Sequence, residues 1–128
     1  MKFYIAAALT EKEKVQKIYQ MIREKWHEIS VDWIDEFVPR PFSENSSKAW
    51  DFAIRDIKGV QESDIFVIFT DTEARGLFIE LWVALERNLQ TWKPQIYIIW
   101  EYRENSIFYF HPNVHICEDM NEVLKNLG

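Results

Sequence analysis

One cysteine, Cys117, occurs in 128 residues. That excludes an intramolecular disulfide and any metal site built on several thiolates. Basic surplus is also missing: 15 Lys and Arg stand against 21 Asp and Glu, a formal net charge of -6. A general binder of nucleic-acid polymers would show a basic face, so that class is not expected. A small anionic ligand held by local backbone N–H groups is not excluded. His27, His111 and His115 form no tight ligand set with nearby acids, so no metal or other cofactor is expected. No apolar run approaches the ~20 residues of a membrane-spanning helix. Phe3 to Leu9 is apolar but short, and acids follow immediately, unlike a secretory leader. The expectation is a cytoplasmic protein without a membrane partner. No repeat, low-complexity segment or linker is visible, and the length suits one domain, 1–128, with one core.

Aromatic rings are plentiful: six Trp, nine Phe and five Tyr. Some are expected at an interface or in a pocket rather than in the core. Along the chain, Lys2 to Ala8 reads as a buried strand. Thr10-Glu-Lys-Glu13 has the form of a capping box, which predicts a helix start. Val15, Ile18, Met21, Ile22 and Trp26 continue it at helical spacing. Glu28 to Trp33 alternates like a second strand. Residues 34–47 carry Pro39 and Pro41 and read as a loop. Trp50, Ala53, Ile54, Ile57 and Val60 mark a second helix. Asp64 to Thr70 is a continuous apolar run, the signature of a strand covered on both faces. A third helix follows Asp71 to Arg75. Lys93 to Trp100 is a further buried strand, Val114 to Cys117 a short last one, and Asp119 to Leu127 a closing helix.

Strands alternating with helices predict an α/β fold of three layers. The expected architecture is a flavodoxin/Rossmann-like five-stranded parallel sheet with helices on both faces. Ligands in such sheets bind beyond the carboxyl ends of the strands. That rule selects Tyr4 to Leu9, Thr70 to Gly76 and Trp100 to Asn105. Ala7, Thr70, Arg75, Gly76 and Asn105 are the candidate substrate-binding residues there. The Thr70 to Gly76 turn offers backbone N–H groups at a helix start, and Arg75 is placed to meet a phosphate.

Glu80 is the anomaly. Its helical neighbours three and four residues away are Gly76, Leu77, Val83 and Ala84, none able to pair with a negative charge. A carboxylate among apolar groups is costly unless something compensates. Either Glu80 sits on a wet helix rim, or it lines a site whose chemistry needs it.

The order of residues around Glu80 resembles the nucleoside 2-deoxyribosyltransferase family and its relatives, the 2'-deoxynucleoside 5'-phosphate N-hydrolases. Tyr4-Ile-Ala-Ala-Ala8 matches the opening strand. Asp56 stands eight residues before Asp64, as a helix Asp stands before the middle strand in that family. Gly76, Glu80 and Ala84 match the helix that follows, and Glu104 to Phe108 with Pro112-Asn-Val114 matches the tail of short members. The resemblance runs along nearly the whole chain. It implies that Glu80 is a nucleophile, that Asp56 acts as an acid on the base side and that Tyr4 orients Glu80. It also implies a small-molecule nucleoside or nucleotide partner and a homodimer or higher homo-oligomer in which a neighbour completes the site. The residue types suit such chemistry: a carboxylate can stabilise an oxocarbenium-like centre and then bond to it. Without the resemblance, Asp56 also reads as a solvated helix acid beside Arg55, Tyr4 as sheet core and Asp64 as a structural group at the strand start.

The chain departs from the pattern at two places. Ala74 stands where many transferases carry a sugar-contacting Asp, and Trp82 where a Gly is usual. Trp82 shares a helix face with Ile79, which fits either a homodimer patch or packing on the sheet. Three readings follow. The first is an enzyme that cleaves or transfers at the N-glycosidic bond of a (deoxy)nucleoside or nucleotide. The second is a nucleotide-binding module without turnover on the same fold. The third is an NAD glycohydrolase.

Overall fold

The computed structural model describes residues 1–71, 73–99 and 102–127. Trp100 and Glu101, at the end of the predicted fourth strand, and Thr72, in the turn before the third helix, lie outside the described residues. So does Gly128. The strands are β1 (Lys2–Ala6), β2 (Glu28–Ile29), β3 (Ile65–Phe69), β4 (Gln95–Ile99) and β5 (Val114–Cys117). The helices are α1 (Lys12–Glu24), α2 (Ser46–Glu62), α3 (Gly76–Thr91) and α4 (Met120–Asn126). The strands form one parallel sheet in the order β2-β1-β3-β4-β5. This is the flavodoxin-like order, and its switch point lies between β1 and β3.

Period-two alternation sorts the sheet's side chains by layer. Tyr4 of β1 stacks on Phe66 of β3, and both face α2 and α3. Phe69 faces the other way and meets Lys14 of α1. All of β3 is buried, as expected for a strand with helices on both faces. Helix α1 buries Val15, Ile18, Tyr19 and Ile22, each contributing about 1.5–3 kcal/mol on full burial.

Several boundaries differ from the sequence reading. The capping box does not form. Thr10 lies in a 3-10 turn (Leu9–Glu11), and α1 starts at Lys12 without a side-chain cap. Trp26 is not part of the helical face. α1 ends at Glu24, the N–H of Trp26 bonds to Arg23 O, and that of His27 bonds to Ile22 O. This is a Schellman closure with Trp26 in the left-handed position, at φ 66°. The side chain is left 93 % exposed. The second strand shortens to Glu28–Ile29. Val31, Trp33 and Ile34 remain buried beyond it, because the Trp33 indole turns inward and donates to Ile5 O at 2.8 Å. Alternating burial there marks an anchored loop rather than a longer strand.

Helix α2 forms where its apolar spacing predicts, yet it buries only Gly59 and Val60. Trp50, Ile54 and Ile57 point outward. On α3, Ile79 and Trp82 are also exposed, at 60 % and 62 %. Trp82 therefore does not pack on the sheet. Asp64 accepts from the Lys2 N–H at 2.9 Å and pairs with Lys93 at 3.1 Å, as expected of a structural group at the start of β3. Among the described residues, no helix is long and apolar enough to cross a membrane.

Candidate active site

Tyr4 lies in the middle of β1 and is buried. Its hydroxyl donates to Glu80 Oε1 at 2.8 Å. This contact, made across 76 positions of sequence, answers the anomaly of Glu80. The compensating group comes from the sheet, not from the helix. Burial, then the negative charge of Asp56, push the Glu80 carboxyl up to about 7, while the Tyr4 hydrogen bond pulls it down. Burial, followed by the charges of Glu80 and Asp56, holds the Tyr4 hydroxyl far above its usual range. Tyr4 therefore remains a proton donor at any physiological pH.

Asp56 projects from α2. Burial raises its carboxyl above the usual range, opposed by Arg55, whose Nη2 stands 3.2 Å from Asp56 Oδ1. Asp56 acts electrostatically on both Tyr4 and Glu80. Residues from β1, α2 and α3 thus form one group.

Gly59 makes the close approach possible. A Cβ there would meet Val31 Cγ2 at 2.3 Å and the Tyr4 ring at 3.4 Å. Glycine at this helix-interior position lets α2 pack onto the layer that carries Tyr4. Gly59 is not among the residues that the sequence singles out. Its signal was a lone glycine inside a helical pattern, which often marks close packing. The sequence shows Arg55 only as a neighbour of Asp56. In the structure it also pairs with Glu36 of the preceding loop, a partner too far away in sequence for spacing to show.

The other candidate residues are not all drawn to this group. Ala7 is half-buried beside the core at the end of β1. Thr70 is buried, and its hydroxyl accepts from the Tyr102 N–H at 3.0 Å. Arg75 and Asn105 are exposed in the connections after β3 and β4, and Gly76 is exposed as the first residue of α3. The expected cradle of free N–H groups between Thr70 and Gly76 is partly filled by the chain itself. Asp71 Oδ1 accepts from Glu73 N at 2.8 Å and from Ala74 N at 3.0 Å. That Asx-type turn removes two of the donors expected to meet a ligand.

A groove of about 1050 Å³ is lined by Lys14, Met21, Ile34, Phe69, Thr70 and Asp119, among others, and includes none of Tyr4, Asp56 and Glu80. Phe69 and Lys14 place it on the α1 side of the sheet. The Tyr4–Glu80–Asp56 group lies on the opposite side of the sheet. Among the described residues, no group of three or more His, Cys, Asp and Glu side chains is placed to hold a metal ion.

No family model and no curated protein matches the chain. One solved structure, described as the Clostridium botulinum CMP N-glycosidase BcmB, resembles it over 99 % of this chain and 98 % of that one. The TM-score is 0.62 and the sequence identity 20 %. At that identity the likeness shows a shared fold: the three-layer α/β arrangement around a five-stranded parallel sheet.

Proposed function

We propose that this protein cleaves or transfers at the N-glycosidic bond of a nucleoside or nucleotide, with Glu80 as nucleophile. The observation that carries the reading is the half-buried Glu80 carboxyl held by the buried Tyr4 hydroxyl at 2.8 Å. The fold shared with a CMP N-glycosidase supports it.

In this reading Tyr4 occupies Oε1 and leaves Oε2 to face the anomeric carbon. The bond from that carbon to the base breaks as the Glu80 bond forms. The electron pair leaves with the base, which takes a proton from Asp56. Attack by water, or by a second base, at the same carbon then releases Glu80 and the sugar product, the attacking group giving its proton to Asp56 and restoring the acid. The first step needs Glu80 ionised and Asp56 protonated. Two neighbouring carboxyls resist double ionisation, so one proton is kept between them; burial pushes Glu80 up to about 7 while Arg55 opposes the rise of Asp56, so the reactive arrangement is the one in which that proton has passed to Asp56. Ala7, Thr70, Arg75, Gly76 and Asn105 remain the proposed substrate contacts, with Arg75 the one suited to a phosphate. The exposed Trp50, Ile54, Ile79 and Trp82 on α2 and α3 support a homodimer or larger assembly through that face, since apolar patches of this kind mark interaction sites.

The test is a chromatographic assay for free base with nucleosides, deoxynucleosides, their 5'-monophosphates including CMP, and NAD, with and without an acceptor base. Wild type is expected to release base and E80Q is not. Base release from NAD alone would favour the NAD reading. Ligand binding without turnover, equal in wild type and E80Q, would favour the binding module.

A further inference from the structure

Arg55 has a place in the site that the nucleophile reading does not use. It stands beside Asp56 on α2 and carries two carboxyl contacts on one nitrogen. Nη2 pairs with Glu36 and lies 3.2 Å from Asp56 Oδ1. The guanidinium carbon lies 4.6 Å from the Phe52 ring centroid, while Nε is buried with no acceptor among the described residues. The fork is thus aimed by packing on Phe52 and by its two carboxyls.

Glu36 belongs to the segment that leaves the carboxyl end of β2 and runs to α2. In a sheet of this order, that is the edge where ligands bind. The segment is anchored at its start by buried Trp33 and Ile34. Near its end, Asn45 Nδ2 donates to Pro39 O and Pro41 O. Between those anchors Phe37 and Phe42 are exposed, and the Glu36–Arg55 pair ties the segment to the helix that carries Asp56.

We propose that Arg55 is a positioning residue of the candidate active site, clamping the 35–44 segment to Asp56 so that loop and carboxyl are held as one wall. Its catalytic consequence rests on the N-glycosidic reading. Its structural part does not. The negative charge of Asp56 is felt on each neighbouring element, by Glu36 on the loop, Tyr4 on β1 and Glu80 on α3, and Asp56 pairs with Arg55 on its own helix. Arg55 is the cation among them. It lowers both Asp56 and Glu36 against the upward push of burial.

Two measurements test the clamp, and one needs no substrate. Carboxyl NMR titration of the intact protein follows Asp56 and Glu36 in wild type, R55K, R55Q and E36Q. Both midpoints are expected to rise in R55Q and to lie between wild type and R55Q in R55K, which keeps the charge but loses the fork. In E36Q the Asp56 midpoint is expected to fall, because Arg55 then serves Asp56 alone. Chymotrypsin is expected to cut at Phe37 or Phe42 faster in both R55Q and E36Q. An Asp56 midpoint unchanged in R55Q overturns the clamp; so does one unchanged in E36Q should R55Q fail to fold. In the base-release assay, R55Q is expected to lower kcat/KM on the order of 10²-fold. It should also move the alkaline limb to higher pH, with partial recovery in R55K. Equal losses in R55K and R55Q with an unmoved pH profile would reduce Arg55 to packing and overturn its catalytic part. Absence of base release by wild type would remove the glycosidic reading, and the titration would still decide the clamp.

Discussion

Glu80 is expensive to keep. Its carboxyl is pushed from the ordinary 4.5 up to about 7 in the folded protein. Between those values the folded state holds a proton that the unfolded chain releases, so stability falls as pH rises through the window. Above about 7 the full cost is present, roughly 3 kcal/mol. E80Q is therefore expected to be more stable than wild type at pH 8, by up to roughly 3 kcal/mol, with the gap shrinking toward pH 5. Urea melts at the two pH values check this. A gap independent of pH would show that the carboxyl is not strained by burial. Y4F removes the donor that lowers Glu80. The Glu80 titration is expected to move higher still, and pH 8 stability to drop by about 1–3 kcal/mol. D56N acts in the opposite sense. With the Asp56 charge gone, Glu80 should ionise at lower pH, read directly by carboxyl NMR.

At the scale of elements, the close approach of α2 to β1 decides whether Asp56 and Tyr4 share a site. G59A is expected to cost about 1–3 kcal/mol, because its methyl group meets Val31 and overpacked cores must shift. It should also lower base release more than that loss of stability explains. G76A meets nothing within 4 Å and is expected to be neutral or to stabilise by about 0.4–1 kcal/mol. Thermal melts of the two variants separate a packing glycine from an incidental one. The same element shows what sequence could and could not reveal. The apolar spacing of Trp50 to Val60 located α2, since a 3.6-residue period survives whether a face is buried or exposed. It did not say that Trp50 and Ile54 point outward, because the period carries no information about which neighbour covers a face. Thr10 and Glu13 had the right spacing for a capping box but lost it to a 3-10 turn, closed by Glu11 N on Ala8 O at 2.9 Å. Local turn geometry overrode a local motif there.

For the whole molecule, alternation of strands and helices made the α/β class and parallel sheet readable. β3 as Ile65–Phe69 was legible in its unbroken apolar run. Asp56 falls on α2, and Gly76 and Glu80 fall on α3, the helices before and after β3 on which the sequence set them. The Tyr4–Glu80 bond and the Arg55–Glu36 pair are long-range contacts, visible only once the sheet order β2-β1-β3-β4-β5 brings β1 beside β3. The exposed apolar face on α2 and α3 belongs to this scale too. For the proposed assembly through this face, W82E is expected to shift the protein toward monomer in sedimentation velocity, with the Glu80 site otherwise folded. An unchanged sedimentation coefficient would place any assembly on another face.

The central claim is that Glu80 does chemistry on an N-glycosidic bond. The most direct measurement is free-base release from a panel of nucleosides and 5'-monophosphates, CMP included, by wild type and E80Q side by side. Release by wild type, lost in a folded E80Q, is the predicted result. Equal release by both, or none from any substrate by a folded wild type, would contradict it.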